Sequence, residues 1–61
     1  MKYVVLFQRG DRQPNIDEWF TTLPDAEHRR KELQGMFDWL KQSNKNTTED
    51  VSVWVECANI P

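Results

Sequence analysis

The chain is poor in the residues that usually staple a small domain. Its 61 residues include one cysteine, Cys57, one histidine, His28, two glycines and three prolines. A lone cysteine excludes an intrachain disulfide, and a lone histidine without a thiol pair excludes a zinc-finger ligand set. Near this size a single core barely offsets chain entropy, so self-association or a partner is the remaining source of stability. Long hydrophobic runs are missing too. After Lys2 the apolar run from Tyr3 to Phe7 is too short for a signal-peptide core and far too short to cross a bilayer, so a cytoplasmic protein is expected. Asn46-Thr47-Thr48 is then a chance match to a glycosylation pattern. A large charge of either sign is also lacking: eight bases against ten acids give −2. Nucleic-acid binders carry a basic excess and nucleic-acid mimics a large acidic one, so neither class is favoured.

What is present is one clearly periodic stretch, Thr22 to Gln42, TLPDAEHRRKELQGMFDWLKQ. Ala26, Leu33, Met36, Phe37 and Leu40 recur at helical spacing and predict an apolar stripe. Thr22 is a capping residue, Pro24 loses no needed donor in a first turn, and Asp25 and Glu27 suit the positive end of the helix dipole. Lys41 suits the other end. From Ser43 to Thr48 no apolar residue occurs, so the helix is expected to end near Ser43 or Asn44.

The flanks read as strands. Lys2 to Arg9 is β-branched and aromatic and apolar on both alternating faces, Tyr3, Val5 and Phe7 against Val4 and Leu6, as in a central strand. Gly10 to Asn15 reads as a reversing loop. Ile16 to Thr22 alternates as a second strand, with Ile16, Glu18 and Phe20 against Asp17, Trp19 and Thr21, and its charges suit an edge. Glu49 to Ile60 is the third, with Val51, Val53, Val55 and Cys57 on one face and Ser52, Trp54, Glu56 and Ala58 on the other. A hairpin followed by a helical crossover predicts an α+β domain, ββαβ, with an antiparallel sheet in the order 2-1-3 and the helix on one face. A competing reading makes Pro14 to Leu23 a short helix.

No Gly-rich phosphate loop, Ser/His/Asp set or catalytic carboxylate pair is present, so neither catalysis nor a cofactor is expected. His28-Arg29-Arg30-Lys31 points in four directions on a helix and reads as a solvated face. Cys57, in an apolar strand face, reads as a small buried hydrophobe. One helix covers one sheet face, so the other meets water, a second copy or a partner. If Val4, Leu6, Phe20 and the Val51/Val53/Val55 row lie under the helix, the open face presents Tyr3, Val5, Phe7, Trp19 and Trp54, an aromatic patch of the kind that marks interfaces. The alternative parity puts Tyr3 and Phe7 under the helix and Trp19 and Trp54 at the rim. Trp39 lies about 110° from the stripe centre. It either packs over Gly35 onto a sheet edge or anchors a partner. The candidate partner-binding residues are therefore Tyr3, Phe7, Trp19, Trp54 and Trp39.

The strand, the helix start Thr22-Leu23-Pro24-Asp25-Ala26-Glu27 and the ending Cys57-Ala58-Asn59-Ile60-Pro61 together resemble the layout of very small phage host-takeover proteins, in particular phage inhibitors of bacterial RNA polymerase. That resemblance implies a cytoplasmic inhibitor docking on an enzyme of a bacterial host, and carries over no functional residue. Pro14 to Pro24, PNIDEWFTTLP, is similar to the helical-hairpin segment of RelE/HigB-type ribosome-dependent RNase toxins. Those toxins place catalytic side chains in later strands, and the final strand here offers no basic or histidine set. The expectation is a non-enzymatic protein-binding module, with a possible homodimer through the sheet face or an edge strand. A truncated toxin relative or toxin regulator, and a nucleic-acid-binding accessory protein stacking bases on sheet aromatics, are the alternatives.

Overall fold

The computed structural model describes residues 1–43 and 50–59. Within them the order is β1 (Lys2–Arg9), β2 (Asn15–Phe20), α1 (Leu23–Ser43) and β3 (Val51–Ala58). The three strands form one antiparallel sheet in the order β2-β1-β3, so the most apolar strand is central, as its two-sided composition predicts. Asn15–Phe20 is a strand, and the competing short helix over Pro14 to Leu23 is not formed. The glycosylation-like triplet lies outside the described residues, as do Glu49 and Ile60, the outer bounds expected for β3.

Local chemistry explains the joints. Gly10 has φ 55°, a left-handed backbone that only glycine adopts without cost, and Arg12 N–H donates to the Arg9 carbonyl at 3.0 Å to close the turn out of β1. At the helix start Ala26 N–H donates to the Thr22 carbonyl at 3.3 Å, while the Thr22 hydroxyl donates to the Asp25 carboxylate at 2.7 Å. Thr22 thus fixes the first turn through an acidic side chain, itself favourably placed on the helix dipole.

Register decides which face the helix covers. Directly opposed residues of antiparallel strands share a face. Val5 lies opposite Val55 and Phe7 opposite Val53, while Tyr3 lies opposite Phe20. The face carrying the valine row of β3 is therefore the Tyr3/Val5/Phe7 face of β1. Val5, Ala26, Leu33 and Val53 form the buried cluster, with Tyr3, Phe7, Phe20, Phe37, Val51 and Val55 packed around it. Phe7 and Phe37 meet with ring centroids 5.6 Å apart, and the Arg9 guanidinium lies 5.7 Å from the centre of the Phe37 ring. Tyr3, Val5 and Phe7 are thus core residues, which corrects the expectation that they line the open face.

The helix stripe is narrower than its sequence spacing predicts. Ala26, Leu33 and Phe37 face the sheet, but Met36 and Leu40 are exposed. Helix α1 lies chiefly over β3 and makes least contact with β2. The helix stands mainly towards the β3 side of the sheet, and Met36 and Leu40 are left exposed on its flank. Cys57 is also exposed, contrary to the expectation of a buried position, because it sits near the end of an edge strand with only Tyr3 opposite.

Two ion pairs clamp α1 across the sheet. Arg29 grips Asp17 of β2 through Nε to Oδ2 at 2.8 Å and Nη2 to Oδ1 at 3.1 Å. These bonds hold the guanidinium above its ordinary pKa, with desolvation opposing. The two-pronged geometry is the strong form of such a pair. Arg29→Ala is expected to cost about 1–2 kcal/mol in a urea titration; a change indistinguishable from that of Lys31→Ala would contradict this role. Lys41 pairs with Asp50 on the approach to β3, which lowers the Asp50 carboxyl and raises the Lys41 ammonium from their ordinary values. Stability from the lowered acid is present above the ordinary carboxylate pKa and lost as pH falls through the lowered one. Stability from the raised base is present below the ordinary lysine pKa and lost as pH rises through the raised one. Lys41→Met should return Asp50 to the ordinary carboxylate range in a carboxyl-carbon NMR titration, whereas an unmoved midpoint would mean the pair does not form.

Candidate protein-binding face

The side of the sheet away from α1 carries the alternate residues. Trp19 lies opposite Val4, and Ile16 and Trp54 flank Leu6 on its two sides. Ile16 reaches this face through a β-bulge: Glu18 pairs with Val5 and Ile16 with Leu6, leaving Asp17 as the extra residue. The bulge does two things at once. It lets Asp17 meet Arg29 on the helix side, and it moves Ile16 from the Phe20 side to the Trp19 side.

The result is a contiguous apolar patch of Val4, Leu6, Ile16, Trp19 and Trp54. The Cα trace spans 10 Å along its thinnest axis, one helix on one sheet, so no third layer covers this face among the described residues. Ile16 and Trp19 are 57% and 42% exposed, and Trp54 and Leu6 are half-buried. Val4 is 5% exposed although it lies on the uncovered side. In the register Val4 stands between Trp19 of β2 and Glu56 of β3, and Trp54 Nε1 donates to Glu56 Oε2 at 3.1 Å. Lys2, Gln8, Ser52 and Glu56 are the polar residues of this face.

Of the five residues singled out from sequence, the structure brings Trp19 and Trp54 together on this face and places Tyr3 and Phe7 on the other. Trp39 stands apart. It is 64% exposed and lines a shallow groove with Gly35, Met36 and Leu40 on the outer flank of α1. A Cβ on Gly35 would meet nothing within 4 Å, so the tryptophan does not fill the space over that glycine. The residues missed from sequence are Val4, Leu6 and Ile16. Val4 and Leu6 were hidden by the two-sided apolarity of β1, and Ile16 by the bulge.

The titratable groups do not converge. Arg29 goes to Asp17, Arg30 Nε to Glu27 Oε2 at 3.1 Å, and His28 Nε2 lies 2.6 Å from Glu32 Oε1 on the exposed helix surface. Among the described residues no three His, Cys, Asp or Glu side chains are grouped to hold a metal, and no helix is long and apolar enough to cross a membrane. No family model, curated protein or solved structure matches the chain.

Proposed function

We propose that this chain is a non-enzymatic protein-binding module that inhibits or modulates a partner protein by docking the open sheet face on it. The carrying observation is the patch of Val4, Leu6, Ile16, Trp19 and Trp54, apolar and without a covering layer among the described residues. Exposed apolar patches rimmed by polar residues mark interfaces, and tryptophan is the side chain most enriched among residues that dominate binding energy. A near-neutral charge balance favours a protein partner over nucleic acid. The resemblance to phage host-takeover proteins agrees with a bacterial cytoplasmic setting and an enzyme of the host as partner.

The test is affinity capture from a bacterial lysate with three baits: the native chain, a Trp19→Ser/Trp54→Ser variant and a Met36→Ser/Trp39→Ser variant. The reading requires a protein retained by the first and third and lost from the second. Retention by the open-face variant with loss from the helix-flank variant would move the binding surface to α1 and overturn the proposal.

A further inference from the structure

We infer that β3 is a self-pairing edge, through which a second copy of this chain adds antiparallel to form a six-stranded sheet in the order 2-1-3-3-1-2. The sheet has two edges and they differ in chemistry. The β2 edge is guarded: it is six residues long, bulged, and carries Asp17 and Glu18 at its middle, so self-pairing there would oppose carboxylates. The β3 edge has none of these devices. Its eight residues, VSVWVECA, pair with β1 without a bulge and include a single charge, Glu56, and no proline.

Backbone geometry identifies the free groups. Gly10 N–H donates to the Asp50 carbonyl at 2.9 Å beside the Arg9–Val51 pair, so Arg9 and Val51 are a non-hydrogen-bonded pair. By alternation Ser52, Trp54, Glu56 and Ala58 turn their N–H and C=O groups to β1, and Val51, Val53, Val55 and Cys57 turn theirs outward. The Val51 carbonyl accepts from Gln34 Nε2 at 3.4 Å. Val53, Val55 and Cys57 have no backbone partner on that side among the described residues.

Charge then selects the register. Antiparallel edge pairing places the two-fold axis perpendicular to the sheet, so opposed residues share a face. An axis at Val53 would set Asp50 against Glu56 of the second copy, and an axis at Glu56 would set the two Glu56 side chains against each other. An axis at Val55 would bring them within about 7–8 Å as diagonal neighbours. An axis at Trp54 avoids all three. It opposes Trp54 to Trp54, sets each Glu56 against the Ser52 hydroxyl of the other copy, and lets Val53 and Val55 exchange hydrogen bonds across the seam. Both helices then lie on one side and both open faces merge on the other. A second copy also answers the small core, in which, among the described residues, only Val4, Val5, Ala26, Leu33 and Val53 are buried hydrophobics. This inference does not rest on the partner-binding reading, because it uses the strand edge and not the face.

Sedimentation equilibrium over a wide concentration range tests it. The native chain should show a reversible dimer. Ser52→Glu, which opposes two carboxylates twice per dimer, should weaken it by roughly 5-fold, and Ser52→Lys should tighten it by a similar factor. Trp19→Ser, remote from the seam, should leave it unchanged, with amide spectra confirming that every variant is folded. A chain monomeric at millimolar concentration, equal effects of the two Ser52 changes, or dissociation by Trp19→Ser would overturn edge pairing, the last indicating a face-to-face dimer instead.

Discussion

Leu33→Ala is expected to remove about half of the folding stability of this chain. Leu33 is 4% exposed at the middle of the helix stripe, in contact with a cluster whose other buried members are two valines and an alanine. Truncating a buried leucine costs about 2–5 kcal/mol, from lost burial plus the cavity left behind. A chain of 61 residues has about 3–9 kcal/mol to lose, at ~0.05–0.15 kcal/mol per residue. Leu40→Ala, on the exposed flank, should change stability by about 0.5 kcal/mol or less. Urea titrations followed by far-ultraviolet circular dichroism separate the two. Equal midpoints would mean that α1 rests on the sheet through the Met36/Leu40 side and that the register-based face assignment is wrong.

The second large effect is on binding. Trp19→Ser with Trp54→Ser should weaken association with the partner by roughly 1000-fold, taking about 2 kcal/mol for each aromatic anchor. The double variant should still fold, because Val5, Ala26, Leu33 and Val53 lie on the other side of the sheet. Phe7→Ala provides the contrast. Phe7 packs on Phe37 under the helix, so its truncation should act on stability, and on binding only through the fraction unfolded. Were Phe7→Ala to weaken binding while leaving the unfolding midpoint unmoved, the two faces would have been exchanged.

Much of this architecture is legible in the sequence, for identifiable physical reasons. The capping and dipole residues at Thr22, Pro24 and Asp25 and the polar tract after Gln42 bound the helix to within a residue at each end, Leu23–Ser43. The two-sided apolar composition of β1 predicts a central strand and hence the order β2-β1-β3. That same composition hides which side of β1 faces the helix. Tyr3, Val5 and Phe7 are no more apolar than Val4 and Leu6 in a way that fixes parity, and only the opposition of Val5 to Val55 decides it. The bulge is a property of pairing, not of local propensity. Its one sequence trace is the adjacent Asp17-Glu18, two polar residues that a strictly alternating edge strand would place on opposite faces. Met36 and Leu40 belong to the stripe by spacing, but the helix sits towards β3 and leaves them exposed on its flank. Trp19 and Trp54 could be found from sequence because tryptophan on a polar-flanked strand is conspicuous; Val4, Leu6 and Ile16 could not.

The central claim is that the open sheet face is the binding surface, and amide hydrogen exchange on the chain free and bound to its captured partner tests it most directly. The expected result is slowed exchange in β2 and β3 around Ile16, Trp19, Trp54 and Glu56, with the outer flank of α1 unchanged. Protection confined to the helix around Gly35, Met36, Trp39 and Leu40, with the strands exchanging as in the free chain, would contradict it.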